Sequence, residues 1–334
     1  MWTDLVLDAL GWLIPVSLAS LMALLVDRRW GEPPAWAHPV VWMGRYLGVI
    51  GPALTRLPAS LAFVGGTLAW LFGALLALAL GLTVEILVFG LAYWRDPDAG
   101  LLSQVLQALA LGLMLKPLLA WRLLRDEVAE VELALAESVQ AGRDRLSRLV
   151  SRDVQALDAE GVRESAIESL AENLNDSVVA PLFWYALGGL AGAALYRFAN
   201  TADAMWGYRG RYEWAGKWAA RADDVLSWVP ARITALLLCL AAGRVPPWRA
   251  LRREAAVTPS PNGGWPMGTM ALLLNVCLRK PGVYALHAGA SSPQPGDTGR
   301  ALAWSQSAVW WAWAFCALLA LLVVGLLHVA AFGA

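Results

Sequence analysis

Four acidic residues recur at every fourth position in the middle of the chain. They are Glu164, Glu168, Glu172 and Asp176. This spacing stacks carboxylates along one face of a helix, where like charges repel, and no Lys or Arg follows Arg163 until Arg197. The pattern predicts a cation beside this acidic ladder, either a divalent metal with phosphate oxygens or arginines from another segment. A solvated acidic face is the simpler alternative.

Two Asn-x-x-Asp patterns lie in the same part of the chain. Asn173 with Asp176, and Asn200 with Asp203, each place an amide and a carboxylate one helical turn apart. Such a pair of oxygen ligands suits Mg²⁺. Helix caps use the same residue types, so either pattern by itself is weak evidence for a metal site.

A cluster of five basic residues and one tyrosine, called the basic cluster here, follows the second pattern. It consists of Tyr208, Arg209, Arg211, Lys217, Arg221 and, after Asp223-Asp224, Arg232. Guanidinium groups bind phosphate and carboxylate through paired hydrogen bonds, so the cluster could hold an anion opposite the acidic ladder. Arginines that reach the lipid headgroups would have the same spacing.

Two loops contain prolines, which restrict the backbone, together with polar side chains. Residues 31–39 place three prolines around His38, which could serve as an acid, a base or a ligand, or could be structural. Residues 260–266 contain Asn262, Gly263 and Gly264, and the glycines could leave backbone amides free for an anion.

The composition indicates a membrane protein. Of 334 residues, 58% are apolar and 16% are charged, against about 45–50% and about 25% in soluble domains. The 26 basic and 26 acidic residues cancel, which excludes a nucleic-acid-binding protein built on a basic face. Intrinsic disorder is excluded as well. Cys239, Cys277 and Cys316 form no CxxC motif, and we expect buried thiols rather than disulfides or a zinc site.

Four segments are apolar enough to cross about 30 Å of hydrocarbon. They are residues 5–26, 60–93, 101–121 and 301–334. The first lacks the basic start and the cleavage site of a signal peptide. Two weaker segments, 177–196 and 226–243, are interrupted by Gly188-Gly189 and by Pro230. Their lengths suit re-entrant hairpins or buried helices as well as full spans.

The distribution of Lys and Arg predicts the orientation. They are concentrated in residues 27–58, 122–163 and 244–300, and none lies in residues 1–4 or 301–334. The positive-inside rule therefore places the three basic regions in the cytoplasm and both termini outside.

A polar stretch between Trp121 and Asp176 interrupts the apolar segments. Residues 122–137 are predicted to form an amphipathic helix, which we expect to end at Gly142 before a second short helix. The apolar stripe of the first helix consists of Leu124, Val128, Val131 and Leu135.

The predicted fold is all-α. We expect a polytopic integral membrane protein with four to six transmembrane or re-entrant helices and cytoplasmic helical loops. Residues 1–334 are predicted to form a single domain, which includes a cytoplasmic amphipathic helical region at residues 120–176.

A set of motifs in a fixed order resembles the CobD/CbiB family of cobalamin biosynthesis. The motifs are His38-Pro39 with Gly44-Arg45, Glu168-Ser169-Leu170-Ala171-Glu172-Asn173 with Asp176 and Ala180-Pro181-Leu182-Phe183, Asn200-Thr201-x-Asp203-x-Met205-x-Gly207-Tyr208, Ala222-Asp223-Asp224 with Trp228-x-Pro230-Ala231-Arg232, and Ser260-Pro261-Asn262-x-Gly264-Trp265-Pro266. Two positions depart from the usual family pattern, the stretch Leu174-Asn175-Asp176-Ser177 and Met267 after Gly-Trp-Pro.

The resemblance implies an integral membrane enzyme, adenosylcobinamide-phosphate synthase. Such an enzyme uses ATP to form an amide between a propionate of adenosylcobyric acid and the amine of aminopropanol phosphate or aminopropanol. ATP and the corrinoid are cytoplasmic, so we expect the active site on the cytoplasmic side of the bacterial inner membrane and residues 177–196 as a re-entrant hairpin. Association with other cobalamin-biosynthesis enzymes is a further expectation.

The residues can be assigned to that reaction as a hypothesis. Metal ligands would be Glu168, Glu172, Asn173 and Asp176, joined by Asp203, which could also act directly in catalysis. Phosphate would be held by Arg209, Arg211 and Arg232, with Asn262 and Gly264 completing the ATP site. The base that deprotonates the attacking amine would be His38 or Asp224.

Two other functions are compatible with the same residues. An intramembrane prenyltransferase also binds Mg²⁺-diphosphate through Asn and Asp clusters, although its aspartates normally recur in two helices. A non-catalytic membrane sensor related to AmpE is the other alternative. The number of acidic and basic residues argues against a sensor.

Overall fold

The structure, a computed structural model, is built almost entirely of helices. It describes residues 15–91, 100–208, 210–323 and 326 with their side chains, and residues 2–14, 92–95, 324–325 and 327–332 only as parts of helices. The helices are α1 Trp2–Trp30, α2 Pro39–Leu54, α3 Ala59–Arg95, α4 Leu101–Leu115, α5 Trp121–Glu137, α6 Val139–Leu146, α7 Ala159–Leu174, α8 Ala180–Trp206, α9 Lys217–Leu226, α10 Trp228–Ala242, α11 Trp248–Ala255, α12 Gly264–Leu274 and α13 Pro295–Phe332. A π-helical turn, Asn175–Val179, joins α7 to α8, and a small hairpin contains β1 Leu278–Lys280 and β2 Tyr284–Leu286.

Four helical stretches of the described chain are long and apolar enough to cross a membrane. They are Ala59–Leu91, Leu101–Glu137, Ala159–Trp206 and Pro295–Val323, and α9 with α10 would make a fifth, broken span. The predicted spans 60–93, 101–121 and 301–334 overlap the first, second and fourth stretches, and residues 333–334 lie outside the described residues. The predicted span 5–26 lies in α1, and its first part lies outside the residues described with side chains. The all-α, polytopic membrane fold is therefore confirmed.

The contacts of the chain group it into two compact units. Unit 1 comprises Met1–Ala120, Ala180–Leu226 and Trp313–Ala334, and unit 2 comprises Trp121–Val179 and Ser227–Ala312. The single domain over residues 1–334 stays a prediction. In both units the cysteines Cys239, Cys277 and Cys316 are buried and free, as expected.

In unit 1, α8 turns back on itself at the predicted glycine interruption. Gly188 and Gly189 leave the helical conformation, and Gly189 has φ of 59°, which favours glycine. A side chain at Gly192 would collide with the carbonyl oxygen of Trp184. Since these residues would be far apart in a straight helix, the two halves of α8 form a tight hairpin.

A carboxylate of α3 stabilises this hairpin. Glu85, the single charged residue of the predicted span 60–93, accepts a hydrogen bond of 2.7 Å from the backbone N–H of Leu190. That N–H group lies at the start of the second half of α8, where helical N–H groups have no partner within the helix. One turn earlier, a side chain at Gly81 would come within 2.6 Å of Ala191 Cα, so α3 and α8 pack closely.

In unit 2, α5 is amphipathic as predicted. Leu124, Val128 and Val131 are buried, and Leu135 is half-buried. The expected break at Gly142 was wrong, because α5 ends at Glu137 and the next helix begins after Ser138, whose hydroxyl accepts from the N–H of Ala141. Gly142 lies inside α6, where a side chain would collide with Leu135. The glycine therefore allows close packing and does not end a helix.

The β-hairpin was not predicted. Pro281 and Gly282 occupy its turn, Gly282 has φ of 74°, and the N–H of Val283 donates to the carbonyl of Lys280 at 2.9 Å. These are the marks of a type II turn, for which Pro-Gly is the favoured pair. The hairpin presents Arg279 and Tyr284 to the acidic ladder.

Candidate active site

The acidic ladder is divided into a buried half and an accessible half. It runs along α7, which begins at the N-cap Asp158 and is buried on all sides from Val162 to Ala171. Glu164 is 1% exposed and Glu168 is 4% exposed. Beyond them, Glu172, Asn173 and Asp176 are half-buried. The second half is therefore the more exposed part of the ladder.

Basic and phenolic side chains from other segments pair with the buried half. Arg279 donates to both oxygens of Glu164, with Nη2 at 2.7 Å from Oε1 and the backbone N–H at 3.0 Å from Oε2. The Tyr284 hydroxyl donates to Oε1 of Glu168 at 2.9 Å, and Arg152 Nη2 lies 3.5 Å from the same oxygen. For these two acids the neighbouring cations are therefore arginines, one of the two predicted alternatives.

These pairings change the acidity of the partner groups. Hydrogen bonds with Glu164, and then its negative charge, raise the pKa of the Arg279 guanidinium. Burial, followed by the negative charges of Glu168 and Glu172, raises the pKa of the Tyr284 phenol. Tyr284 therefore stays protonated at physiological pH and keeps its donor role.

The accessible half has the donor chemistry that magnesium prefers. No three His, Cys, Asp or Glu side chains converge on one metal position within the described residues. Mg²⁺ usually takes only one or two carboxylates, with waters and phosphates as its other ligands. Glu172 and Asp176 meet that requirement. Asn173 donates through Nδ2 to the carbonyl and hydroxyl of Ser169, so its amide oxygen is the atom that could bind a cation.

The π-helical turn sets the orientation of Asp176. Asn175 donates through Nδ2 to Asp176 Oδ1 at 2.8 Å and accepts at Oδ1 from the hydroxyl of Thr234 at 3.0 Å. The carboxylate is thus connected to α10 through Asn175. Single π-helical turns inside α-helices are frequent at functional sites.

Arg232 of α10 and Asn262 of the loop at residues 260–265 lie at the accessible end of the ladder. Arg232 Nη1 donates to Asn262 Oδ1 at 3.2 Å, and its guanidinium lies over the rings of Trp228 at 4.0 Å and Trp265 at 4.8 Å. A Cβ atom at the neighbouring Gly263 would be 3.2 Å from Glu172 Oε1. We call this group, Glu172, Asn173, Asp176, Arg232 and Asn262, the ladder-end site.

The glycines of this loop serve packing in the structure. The backbone N–H groups of Asn262 and Gly263 point to the hydroxyl of Ser260, at 3.2 and 3.5 Å. A side chain at Gly264 would collide with the carbonyl of Ala255. A phosphate contact by Asn262 or Gly264 stays a prediction.

The other predicted residues belong to unit 1. Asn200 accepts from Arg197 and donates to Asp223 at 3.4 Å, while Asp203 packs on Gly207. Arg209 lies outside the described residues. Arg211 is exposed, with its guanidinium 5.5 Å from the Tyr212 ring. The roles of Asp203, Asp224, Arg209 and Arg211 stay predictions.

A small cavity in unit 1 gathers part of the predicted basic cluster. Its volume is about 200 Å³, and Tyr208, Lys217 and Arg221 are among its lining residues. Arg211 is not among them in the described part of the chain.

His38 belongs to a buried charge network in unit 1. Its Nδ1 accepts from the N–H of Val40 at 3.3 Å and caps α2, and its Nε2 lies 3.0 Å from Glu32 Oε2. Lys116 Nζ lies 2.9 Å from the same Glu32 oxygen and 3.3 Å from Asp27 Oδ1. Burial alone would raise the pKa of Glu32, but the hydrogen bonds from His38 and Lys116 and their charges lower it below its usual value.

Replacing Glu32 by glutamine should destabilise the protein by about 1–3 kcal/mol near neutral pH, since a hydrogen-bonded carboxylate is lost. The lowered pKa means that the ionised form stabilises the fold above the ordinary value of 4.5, and that this contribution is lost as the pH falls through the folded-state pKa. Thermal unfolding in detergent between about pH 3 and 7 should therefore show the wild type and Glu32→Gln converging in acid. Glu137→Gln, at an exposed position, is the control, and a constant difference across the range would contradict this prediction.

Comparison with known proteins identifies the family to which the chain belongs. The family described as CobD/Cbib protein matches residues 20–328. The chain belongs to the CobD/CbiB family. A protein of Thermococcus kodakarensis named probable cobalamin biosynthesis protein CobD is 40% identical over 284 residues, which cover 84% of this chain and 88% of its own length. A protein of Chromobacterium violaceum named cobalamin biosynthesis protein CobD is 38% identical over 317 residues, which cover 92% and 97%. No solved structure matches the chain.

Three residues that contact the ladder of this CobD/CbiB protein were missed from the sequence. Arg152, Arg279 and Tyr284 lie in segments that carry no recognised motif. The Pro281-Gly282 pair was the available signal, because it predicts the turn that places Arg279 and Tyr284 in a hairpin. Arg152 offers no comparable signal.

Proposed function

We propose that this CobD/CbiB protein is an ATP-dependent amide ligase of cobalamin biosynthesis. It would join adenosylcobyric acid to aminopropanol phosphate, which gives adenosylcobinamide phosphate, or to aminopropanol, which gives adenosylcobinamide. The observation that carries the proposal is the meeting of two family motifs, at Glu172 and Asn262, in the ladder-end site. The family match over residues 20–328 supports the pathway.

The ladder-end site supplies what such a reaction requires. A carboxylate does not react with an amine until one of its oxygens becomes a leaving group, and ATP with Mg²⁺ supplies that activation when bound. Glu172, Asn173 and Asp176 would hold the metal through oxygen atoms. Arg232, kept in place by Trp228 and Trp265, would neutralise phosphate oxygens.

The attacking amine must lose a proton, and two residues were predicted as its acceptor. His38 already accepts a hydrogen bond at Nδ1, and its Nε2 faces Glu32. Protonation at Nδ1 would break the cap of α2. We therefore assign His38 a structural role in the charge network with Lys116, and Asp224 remains the other predicted proton acceptor.

The membrane setting is part of the proposal. We place the active site on the cytoplasmic side of the inner membrane, because ATP is available there and the basic regions are predicted to be cytoplasmic. Other cobalamin-biosynthesis enzymes would be the protein partners. No nucleic acid takes part.

An assay with defined substrates tests the function. Purified full-length protein in detergent, with adenosylcobyric acid, ATP, Mg²⁺ and aminopropanol phosphate, should yield a product whose mass corresponds to one new amide bond. The reaction without ATP is the control. If the complete mixture gives no such product under conditions in which the protein stays folded, the proposed function is wrong.

A further inference from the structure

A cluster of polar side chains lies one helical turn before the ladder-end site. At its centre is the carboxylate of Glu168, whose side chain is 5% exposed. Arg152, Tyr284 and Lys280 surround it, and each is half-buried. Lys280 Nζ lies 6.0 Å from the centre of the Tyr284 ring. We call these four residues the Arg152–Glu168 subsite.

Three buried polar atoms of the subsite have no hydrogen-bond partner in the described part of the chain. They are Oε2 of Glu168 and the Nε and Nη1 atoms of Arg152. Leaving such an atom unpaired is unfavourable, and more so when the group is charged. The subsite thus offers one acceptor and two donors for a bound molecule.

Glu164, one turn earlier on α7, provides an internal comparison. It is as deeply buried, yet Arg279 engages both of its oxygens. Glu168 receives hydrogen bonds at Oε1 only. Burial of an acid on this helix therefore does not by itself leave an oxygen unpaired, and the open position is particular to Glu168.

We propose that the Arg152–Glu168 subsite binds a small molecule that carries a cationic amine beside an anionic group. The amine would donate to Oε2 of Glu168, and the anion would accept from Arg152, with Lys280 as a second cation. Because Arg152 and Glu168 are 3.5 Å apart, the two charges of the ligand must be close together.

The amine substrate of the proposed reaction has this chemistry. In aminopropanol phosphate only two carbons and one oxygen separate the nitrogen from the phosphorus. This identification rests on the proposed function. Glu168 and Glu172 are one helical turn apart, about 5.4 Å along the axis. An amine bound at Glu168 would therefore lie close to a carboxylate activated at the ladder-end site.

Direct binding to the full-length protein in detergent tests the inference without turnover. The probes are aminopropanol phosphate and aminopropanol, with and without ATP and Mg²⁺, measured by calorimetry. Arg152→Gln should weaken the binding of aminopropanol phosphate roughly 10- to 100-fold, the effect of losing a charge-assisted hydrogen bond, and leave that of aminopropanol unchanged. Glu168→Gln should weaken both. Arg148→Gln, at an exposed position in the same segment, should weaken neither.

The outcomes separate the subsite from the proposed function. Weaker binding to Arg152→Gln together with absent amide formation by the wild type would support the subsite and refute the ligase. Amide formation by the wild type with the same KM for aminopropanol phosphate in Arg152→Gln would refute the subsite alone. Wild-type protein that binds neither probe under any of these conditions would also overturn it. In folded variants, a fall in kcat with an unchanged KM for the amine would indicate a structural role and count against the inference.

Discussion

Asp176→Asn and Glu172→Gln should each lower the rate of amide formation on the order of 1,000-fold, since a ligand of a catalytic metal supports several kcal/mol of transition-state stabilisation. Both substitutions keep the size of the side chain and remove its charge. Because Asp176 accepts a hydrogen bond from Asn175, which in turn accepts one from Thr234, the asparagine variant should retain its position. The rates should be measured with the amide-forming assay over a range of Mg²⁺ concentrations.

A matched control lies on the same helix. Glu160 is an exposed acid in the first turn of α7, so Glu160→Gln removes an equal charge away from the ladder-end site. It should keep the wild-type rate. If Asp176→Asn and Glu172→Gln keep it as well, with an unchanged requirement for Mg²⁺, these residues do not bind the metal.

The second large effect concerns stability. Arg279→Ala should lower the free energy of unfolding by about 3 kcal/mol, because it leaves the buried Glu164 carboxylate without its counter-charge. This expected loss is at the lower end of the range for breaking a buried ion pair. The reason is that the Arg279 side chain is 50% exposed, while that of Glu164 is 2% exposed. Denaturant unfolding in detergent measures the change.

Another ion pair of unit 2 serves as the comparison. Arg253 lies 3.5 Å from Glu254, but its side chain is 74% exposed. Arg253→Ala should therefore cost less than about 1 kcal/mol. Glu254 is buried too, with its side chain 8% exposed, so an equal loss in both variants would mean that the hydrogen bonds from Arg279 do not strengthen its pairing with Glu164.

Several parts of the fold could be predicted because their signal is local. Hydropathy over some twenty successive residues is enough to predict a span, so residues 60–93 and 301–334 coincide with α3 and α13. The glycines at 188 and 189 predicted the interruption of α8 for a similar reason, since glycine is unfavourable inside a helix and readily adopts the positive φ that other residues rarely take. The break at Gly142 failed because a glycine inside a helix can also serve close packing, which depends on the neighbour.

The candidate site was predicted only in part. The four-residue spacing of the ladder predicted a cation and placed Glu172 and Asp176 on one face, although Asp176 lies in the π-helical turn that follows α7. It did not distinguish a metal from arginines. In unit 2 that distinction is made by Arg279, which is 115 residues away from Glu164 in sequence.

The sequence by itself determined the membrane character, the helical elements and the acidic face of α7, since these depend on composition and on spacing within one element. Only the tertiary structure decided which acids are paired and which are accessible. The pairing of Glu164 with Arg279 and the open oxygen of Glu168 arise where the β-hairpin meets α7. The physical reason is that the free energy of a buried charge depends on its neighbours in space, and segments distant in sequence provide those neighbours.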